Sequence, residues 1–373
     1  MATRRSTRIA TVASSDTTKV KDEQITQEHK PAAAAVSRKR KMVNLAPPVP
    51  EALPADETPT TPRKKRVAKP IPFTPTPSVV ALMSDPIHQP EQSTPPPIRH
   101  RLAAPNATNA PLISPETSRV ITSKPLDEVS PSKVSNVKTT TDNILEEALA
   151  HLIKVEPKLK SVIEKNPCKV FSPEGLAETV DPFMALTSGI ISQQVSGAAA
   201  KSIKAKFVAL FNPDVEDVAQ HVFPVPSAVA ATTIEKLRTA GLSQRKAEYI
   251  QGLAEKFASG ELSATMLFSA TDEELLEELI KVRGLGKWSV EMFACFSLKR
   301  MDVFSTGDLG VQKGMASLAG RDVSKAKSSG KGKWKYMSEK EMEEIADKFR
   351  PYRSVFMWYT WRVADTDIST FDD

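Results

Sequence analysis

Two stretches late in the chain combine residue types that can do chemistry. The first is Val282-Arg283-Gly284-Leu285-Gly286-Lys287, followed directly by Trp288. Its two glycines permit positive φ and let a ligand approach the main chain with no Cβ in the way. A helix opening just after Gly286 would turn its unpaired N–H groups outward, an arrangement that suits a phosphate. The second stretch is Asp302-Val303-Phe304-Ser305-Thr306-Gly307-Asp308-Leu309-Gly310-Val311-Gln312-Lys313. It sets a carboxylate, Asp308, immediately after a glycine and near an expected helix N-terminus, where negative charge is favoured. Such a residue can be an N-cap, a charge-stabilising catalytic anion, or both.

The surrounding pattern supplies elements to hold these residues. Thr271-Asp272-Glu273-Glu274 reads as a capping box, so a helix starts at Thr271 and carries Leu275, Leu276, Leu279 and Ile280 at helical spacing. A second helix is expected from Trp288 to about Leu298. Taken alone, the pair could be an ordinary helical hairpin. Upstream, Ile144, Leu145, Ala148, Leu152 and Ile153 recur at helical spacing until Pro157. The stretch 182–211 reads as one long helix or two abutting ones, buried along most of its length. A helix from about Thr233 ends at Gly241, and Ser243 starts another that runs to Phe257. No segment shows sustained period-two alternation, so the fold class is all-α.

Composition divides the chain. Of 29 prolines, 21 lie before position 140, and Phe73 is the one aromatic residue there. A segment so poor in apolar bulk cannot offset the entropy of ordering, and 1–142 is expected to be disordered. Residues 143–373 form the expected folded domain. In 1–142, 21 Lys/Arg stand against 13 Asp/Glu, a net of +8; the domain has 30 against 32, a net of −2. Any nucleic-acid footprint on the domain must therefore be a local patch, not bulk charge. Clusters 38–41 (RKRK) and 63–66 (RKKR) resemble nuclear import signals, implying a nuclear protein and an import receptor as partner of the tail. Ser/Thr-Pro pairs such as Thr58-Pro59, Thr61-Pro62, Ser114-Pro115 and Ser130-Pro131 are weak candidates for phosphorylation. Two cysteines, Cys168 and Cys295, are too few for a four-thiolate cluster or a cysteine-based zinc site. Buried free thiols are expected of them. No secretory signal, membrane span or metal site is expected, and the protein is expected to be a monomer.

The order of these parts, a G-x-G hairpin followed about twenty residues later by a glycine-bearing loop and an aspartate, resembles the helix-hairpin-helix–GPD superfamily of base-excision DNA glycosylases. The likeness covers 181–365. The stretches 191–196 (ISQQVS), Gly284–Trp288, Gly307–Lys313 and 350–354 (RPYRS) most resemble its fungal 3-methyladenine branch. One departure is Arg283, where the family often has proline. The resemblance implies two helical subdomains around a cleft, with Asp308 as catalytic carboxylate. It also implies that Arg283, Gly284, Gly286 and Lys287 grip double-stranded DNA, and a structural monovalent cation at the hairpin is compatible with it. Trp288, Met292, Trp361 and Trp358 would line a pocket for an alkylated base, although Trp358 could equally be a core residue. Gln193 and Gln194 would sit at the wedge that fills the gap left by a flipped base, unless they are merely polar residues on an exposed helix face. Trp334 lies in a Lys-, Gly- and Ser-rich loop, 321–337, that resembles an insertion. Bifunctional members carry a lysine nucleophile where this chain has Trp288. Lys287, one residue earlier, would point about 100° away, so hydrolysis without strand cleavage is expected. The competing reading is a non-catalytic DNA-binding or scaffold protein.

Overall fold

Helix starts in this chain are written by Ser, Thr and Asp. Ser172, Asp181, Ser196, Thr233, Ser243, Ser263, Thr271, Asp308 and Ser338 each accept a backbone N–H from the first turn of the helix they precede. The computed structural model describes residues 100–125, 139–321, 323 and 336–363, all inside one compact unit spanning 69–373. In chain order its helices are α1 (Ile144–Val155), α2 (Leu159–Lys165), α3 (Pro173–Ala177), α4 (Pro182–Ser192) and α5 (Gly197–Ala209). Next come α6 (Pro226–Ala230), α7 (Ile234–Arg238), α8 (Gln244–Ala258), α9 (Ala264–Ser269) and α10 (Asp272–Ile280). The last are α11 (Lys287–Met292), α12 (Leu309–Leu318), α13 (Glu339–Ala346) and α14 (Arg353–Val363).

The helices pack in two groups. In the middle of the chain, α8 lies against α4, α6 and α7, and α4 also meets α5. The other group joins the two ends: α14 packs on α12, α1 and α2. Where α11 runs into a π-helical turn, Phe293–Ser297, that turn touches α4 and links the groups. The all-α reading therefore describes the architecture, with one small exception, an antiparallel pair of β1 (Leu112–Ile113) and β2 (Val120–Ile121). Among the described residues no helix is long and apolar enough to cross a membrane.

The domain begins well before residue 143. Ala110 and Leu112 are fully buried, and Leu112 bridges to Val180: the Ile113 N–H donates to Val180 O and the Val180 N–H to Pro111 O, each at 2.9 Å. The buried Arg101 guanidinium donates to Leu176 O at 2.6 Å and to Thr122 Oγ1 at 2.7 Å. Asn109 N–H donates to Leu298 O at 3.0 Å, and Met301 N–H to Pro105 O at 2.8 Å. Expecting disorder as far as 142 was thus wrong for 100–125 and 139–142. Proline density and few aromatics describe the average of 1–142, whereas a short strand needs only Leu112, Ile113 and backbone partners. Ser114-Pro115 lies in this hairpin. The basic clusters, the other Ser/Thr-Pro pairs and Trp334 lie outside the described residues.

Burial of 182–211 also divides unevenly. Every residue of α4 is buried, but on α5 the buried ones are Ala200 and Phe207. Alanine-rich sequence does not distinguish a core helix from a good solvent-facing helix former.

A chain starting at residue 100 is expected to melt like the full-length protein. One starting at 143 loses Leu112 and Ile113 from the core, about 3–6 kcal/mol at 1.5–3 kcal/mol per fully buried aliphatic side chain. Chemical denaturation of both truncations checks this; equal midpoints would show that 100–142 is dispensable.

Candidate active site

The loop between the π-helical turn and α12 carries Asp308, and nearly every residue of it is tied down. Ser354, on α14, accepts the Val303 N–H at 2.9 Å and donates to Arg300 O at 2.6 Å. Asp302 is 6% exposed and takes Arg353 Nε at 2.6 Å and Arg350 Nη1 at 2.8 Å. Ser305 Oγ donates to Glu291 Oε2 at 2.6 Å, and Thr306 Oγ1 to Glu339 Oε1 at 2.9 Å. Gln312 reaches back from α12 to donate to Thr306 O at 3.1 Å.

Asp308 closes this loop as the N-cap of α12. Its Oδ1 accepts the Val311 N–H at 2.8 Å and the Trp361 indole N–H at 2.9 Å. Its Oδ2 accepts the Trp288 indole N–H at 2.9 Å. One carboxylate, 4% exposed, thereby joins α11, α12 and α14. Trp361 reaches it because α12 and α14 come unusually close. A Cβ on Gly314 would lie 1.9 Å from Thr360 O, and one on Gly310 would lie 2.7 Å from Trp361 Cδ1. Phe296 stacks on Trp361, with ring centroids 5.5 Å apart.

Glu291 is the second carboxylate of the site. It sits one turn after Lys287 on α11, and Lys287 Nζ lies 3.7 Å from its Oε1. Burial pushes its carboxyl up to about 7; the Ser305 hydrogen bond and the Lys287 charge pull it down, and the Asp308 charge adds to the rise. Lys287 itself projects into solvent, 62% exposed.

The hairpin uses its glycines differently. Gly284 has φ +96° and a Cβ there would strike the Tyr249 ring at 2.2 Å, so glycine is required. Gly286 is extended rather than left-handed, at φ −107°, which corrects the expectation of positive φ at both. Nothing lies within 4 Å of where its Cβ would be, so the entry to α11 is open. The exposed Arg283 sits over Tyr249, its guanidinium carbon 5.9 Å from the ring centroid. A monovalent cation here would share Gly284 O with the Gln193 amide and Val282 O with the Leu285 N–H. Each carbonyl has a second lone pair for it.

The two residues expected at the wedge separate. Gln194 is exposed and held at φ +57°, a left-handed conformation uncommon outside glycine. Gln193 is not a DNA-facing residue: it is 7% exposed, and its amide donates to Gly284 O at 2.9 Å. Two of the expected pocket residues are corrected as well. Met292 has no exposed surface and belongs to the core. Trp358 is 2% exposed, edge-on to Tyr359, with the Arg362 guanidinium carbon 3.3 Å from its ring centroid. Trp358 is close to Trp361 in sequence, but three residues along a helix is a 60° turn, enough to send the side chain elsewhere. Trp288 is half-buried and retains exposed surface beside Asp308.

Some functional-site residues had a sequence signal that went unused. Gly310 and Gly314 stand one turn apart, a spacing that announces a close helix neighbour. Lys287 and Glu291 form an i, i+4 pair. Nothing local in the sequence announces that Arg350 and Arg353 clamp Asp302 across some fifty residues.

A hairpin with this turn, leading through Trp288 to a capping aspartate, agrees with comparison against known proteins. Residues 187–336 match the model of the HhH-GPD superfamily base excision DNA repair proteins. DNA-3-methyladenine glycosylase of Saccharomyces cerevisiae is 33% identical over 274 residues, 68% of this chain and 90% of the relative. The chain belongs to the HhH-GPD superfamily. DNA-3-methyladenine glycosylase 1 of Schizosaccharomyces pombe is 29% identical over 226 residues, 59% of this chain and 92% of that one. Among solved structures, a DNA-3-methyladenine glycosidase from Bacillus halodurans is similar at 30% identity and a TM-score of 0.46, covering 59% of this chain and 89% of that one. In this HhH-GPD chain the superfamily's helix–hairpin–helix unit is α10, the 282–286 turn and α11.

Glu291 gives the site a pH signature. Because its folded value is raised, the native state holds a proton that the unfolded chain releases between about pH 4.5 and 7. Native stability therefore falls through that window, by on the order of 3 kcal/mol at 1.36 kcal/mol per pH unit. Glu291→Gln carries no such proton. Its stability relative to wild type should rise from pH 5 to pH 8 in urea titrations; parallel profiles would contradict the assignment.

Proposed function

We propose that this protein is a monofunctional DNA glycosylase that extrudes alkylated purines from duplex DNA and hydrolyses the N-glycosidic bond, the step that initiates base-excision repair. The observation that carries the reading is the buried Asp308 carboxylate bracketed by the indole N–H groups of Trp288 and Trp361, behind a G-x-G hairpin. Relatives that align along nine-tenths of their length and carry the name DNA-3-methyladenine glycosylase support it.

The chemistry follows from charge. Cleaving the bond leaves positive charge on the sugar, and a fixed anion beside it lowers the barrier or aligns the attacking water. Three N–H donors hold Asp308 in one place, so little reorganisation is needed as that charge develops. Alkylation makes a purine cationic and already a good leaving group, so a strong general acid is not required. An electron-poor base gains from stacking on an indole face, and Trp288 offers exposed surface at the site.

No amine stands where a lyase would place its nucleophile. Trp288 occupies that position, and Lys287 points to solvent and Glu291. There it can meet a phosphate together with the open N-terminus of α11 and Arg283. Gln194, exposed on its left-handed turn, is the wedge. The domain works as a monomer on double-stranded DNA in the nucleus, and the tail's basic clusters serve an import receptor.

The test uses methylated duplex DNA and chromatography of released bases. Wild type should free methylated purines, and Asp308→Asn should slow release by at least about 100-fold, the scale set by removing one preorganised charge-stabilising group. Borohydride should trap no covalent adduct. Absence of any released base with wild type would overturn the activity, full activity of Asp308→Asn the mechanism, and a trapped adduct the assignment as monofunctional.

A further inference from the structure

The turn that presents Gln194 is held by a residue outside the site described so far. Helix α4 ends at Ser192, where the Gln193 N–H caps Ile190 O and the Val195 N–H donates to Ser192 O, and Ile191 O is met by a side chain from another helix. Lys246, in the first turn of α8, donates from Nζ to Ile191 O at 2.7 Å and to Gln193 O at 2.6 Å. The Gln193 amide in turn donates to Gly284 O at 2.9 Å. Three residues after Lys246, on the same face of α8, the Tyr249 ring lies against Gly284 and under Arg283. One face of α8 thus touches both the wedge turn and the hairpin.

The choice of lysine is informative. Among the described residues no carboxylate pairs with it, and burial pushes its amine down to about 8. Desolvating a cation without an anion is costly, and methionine would fill similar space without that cost. The ammonium provides something an alkyl chain cannot: two bonds to carbonyls of the turn, one of them on the residue before Gln194. A non-glycine residue in the left-handed region is strained and persists where its surroundings over-determine it. Lys246 and Gln193 are those surroundings.

We propose that Lys246 is a positioning residue for base extrusion. It holds the 193–194 turn in the shape that presents Gln194 and, through Gln193, fixes that turn to the hairpin, so backbone grip and wedge insertion act as one rigid unit. This rests on the reading of Gln194 as the wedge. Lys246 contributes to extrusion, not to bond cleavage at Asp308.

The experiment is single-turnover release of 7-methylguanine by the full-length protein, from one oligonucleotide duplex in which it faces cytosine and one in which it is mispaired with thymine. A mispaired base costs less to extrude. Lys246→Met should slow release from the cytosine pair about 10- to 100-fold while slowing the mispair less than about threefold. Lys246→Arg, which keeps a cationic donor, should recover most of the loss. Gln194→Ala should show the same dependence on pairing, and the double variant should be no slower than Gln194→Ala alone. A Lys246→Met defect equal on both duplexes would mean a merely structural role and overturn the proposal, as would additive losses in the double variant. Should Lys246→Met fold poorly, Gln193→Leu, which cuts only the tie to Gly284, must reproduce the pairing dependence or the proposal fails. If Gln194→Ala releases the paired base at the wild-type rate, the wedge reading itself is wrong. If Gln194→Ala is impaired and Lys246→Met is not, the role of Lys246 alone is wrong.

Discussion

The site depends on the three N–H groups that converge on the Asp308 carboxylate. One comes from the backbone of α12, one from Trp361 on α14 and one from Trp288 on α11, so each helix must arrive at the right depth and rotation. The backbone donor is local and follows from the N-cap. The indole donors are long-range and fix the relative placement of the helices that bear them. Small residues on α12 make this possible, because Gly310 and Gly314 let α14 approach closer than side chains would allow. An aspartate held from three directions keeps its oxygens where they are while charge develops beside them, and electrostatic catalysis relies on that property.

The loop leading to Asp308 is secured by buried charge. Lys299, Arg300 and Asp302 are almost inaccessible, and each pairs with a carboxylate or guanidinium: Glu178, Asp272, and the Arg350 and Arg353 pair. Burial lowers the Lys299 amine, as expected for a cation taken out of water. Ion pairs of this kind add little net stability over apolar packing, but breaking one is expensive. Their effect here is to make any other conformation of 299–303 costly. The loop therefore enters Asp308 with a fixed geometry, and Ser305 and Thr306 continue the bracing through Glu291 and Glu339.

Residues 143–373, with a net charge of −2, can hold a polyanion only where their donors are concentrated. The hairpin concentrates them: Arg283 and Lys287 are exposed on either side of an open helix N-terminus. The 193–194 turn is bonded to the same hairpin through Gln193. Turn and hairpin share one scaffold, and α8 contacts both.

Local signals in the sequence were sufficient for several of the helices and for the kind of chemistry. The capping box at Thr271, the caps at Thr233 and Ser243 and the G-x-G turn each depend on neighbours within a few residues. The aspartate after Gly307 and the tryptophan after Lys287 were legible for the same reason. Tertiary structure decided whatever depends on partners far along the chain. Composition averaged over 1–142 concealed the strand at Leu112–Ile113, which is stabilised by Val180 and the turn at 298–301. Helical spacing could not tell that Trp361 turns to Asp308 while Trp358 turns to Arg362. It could not tell that Gln193 is buried and Gln194, at φ +57°, exposed, because the partner of Gln193 is Gly284, ninety-one residues on. Sequence fixes which groups are available and the short-range conformations they prefer. Which of them meet is settled by packing, because the burial that joins Asp308 to Trp361, or Asp302 to Arg353, exists only once the helices between them are in place.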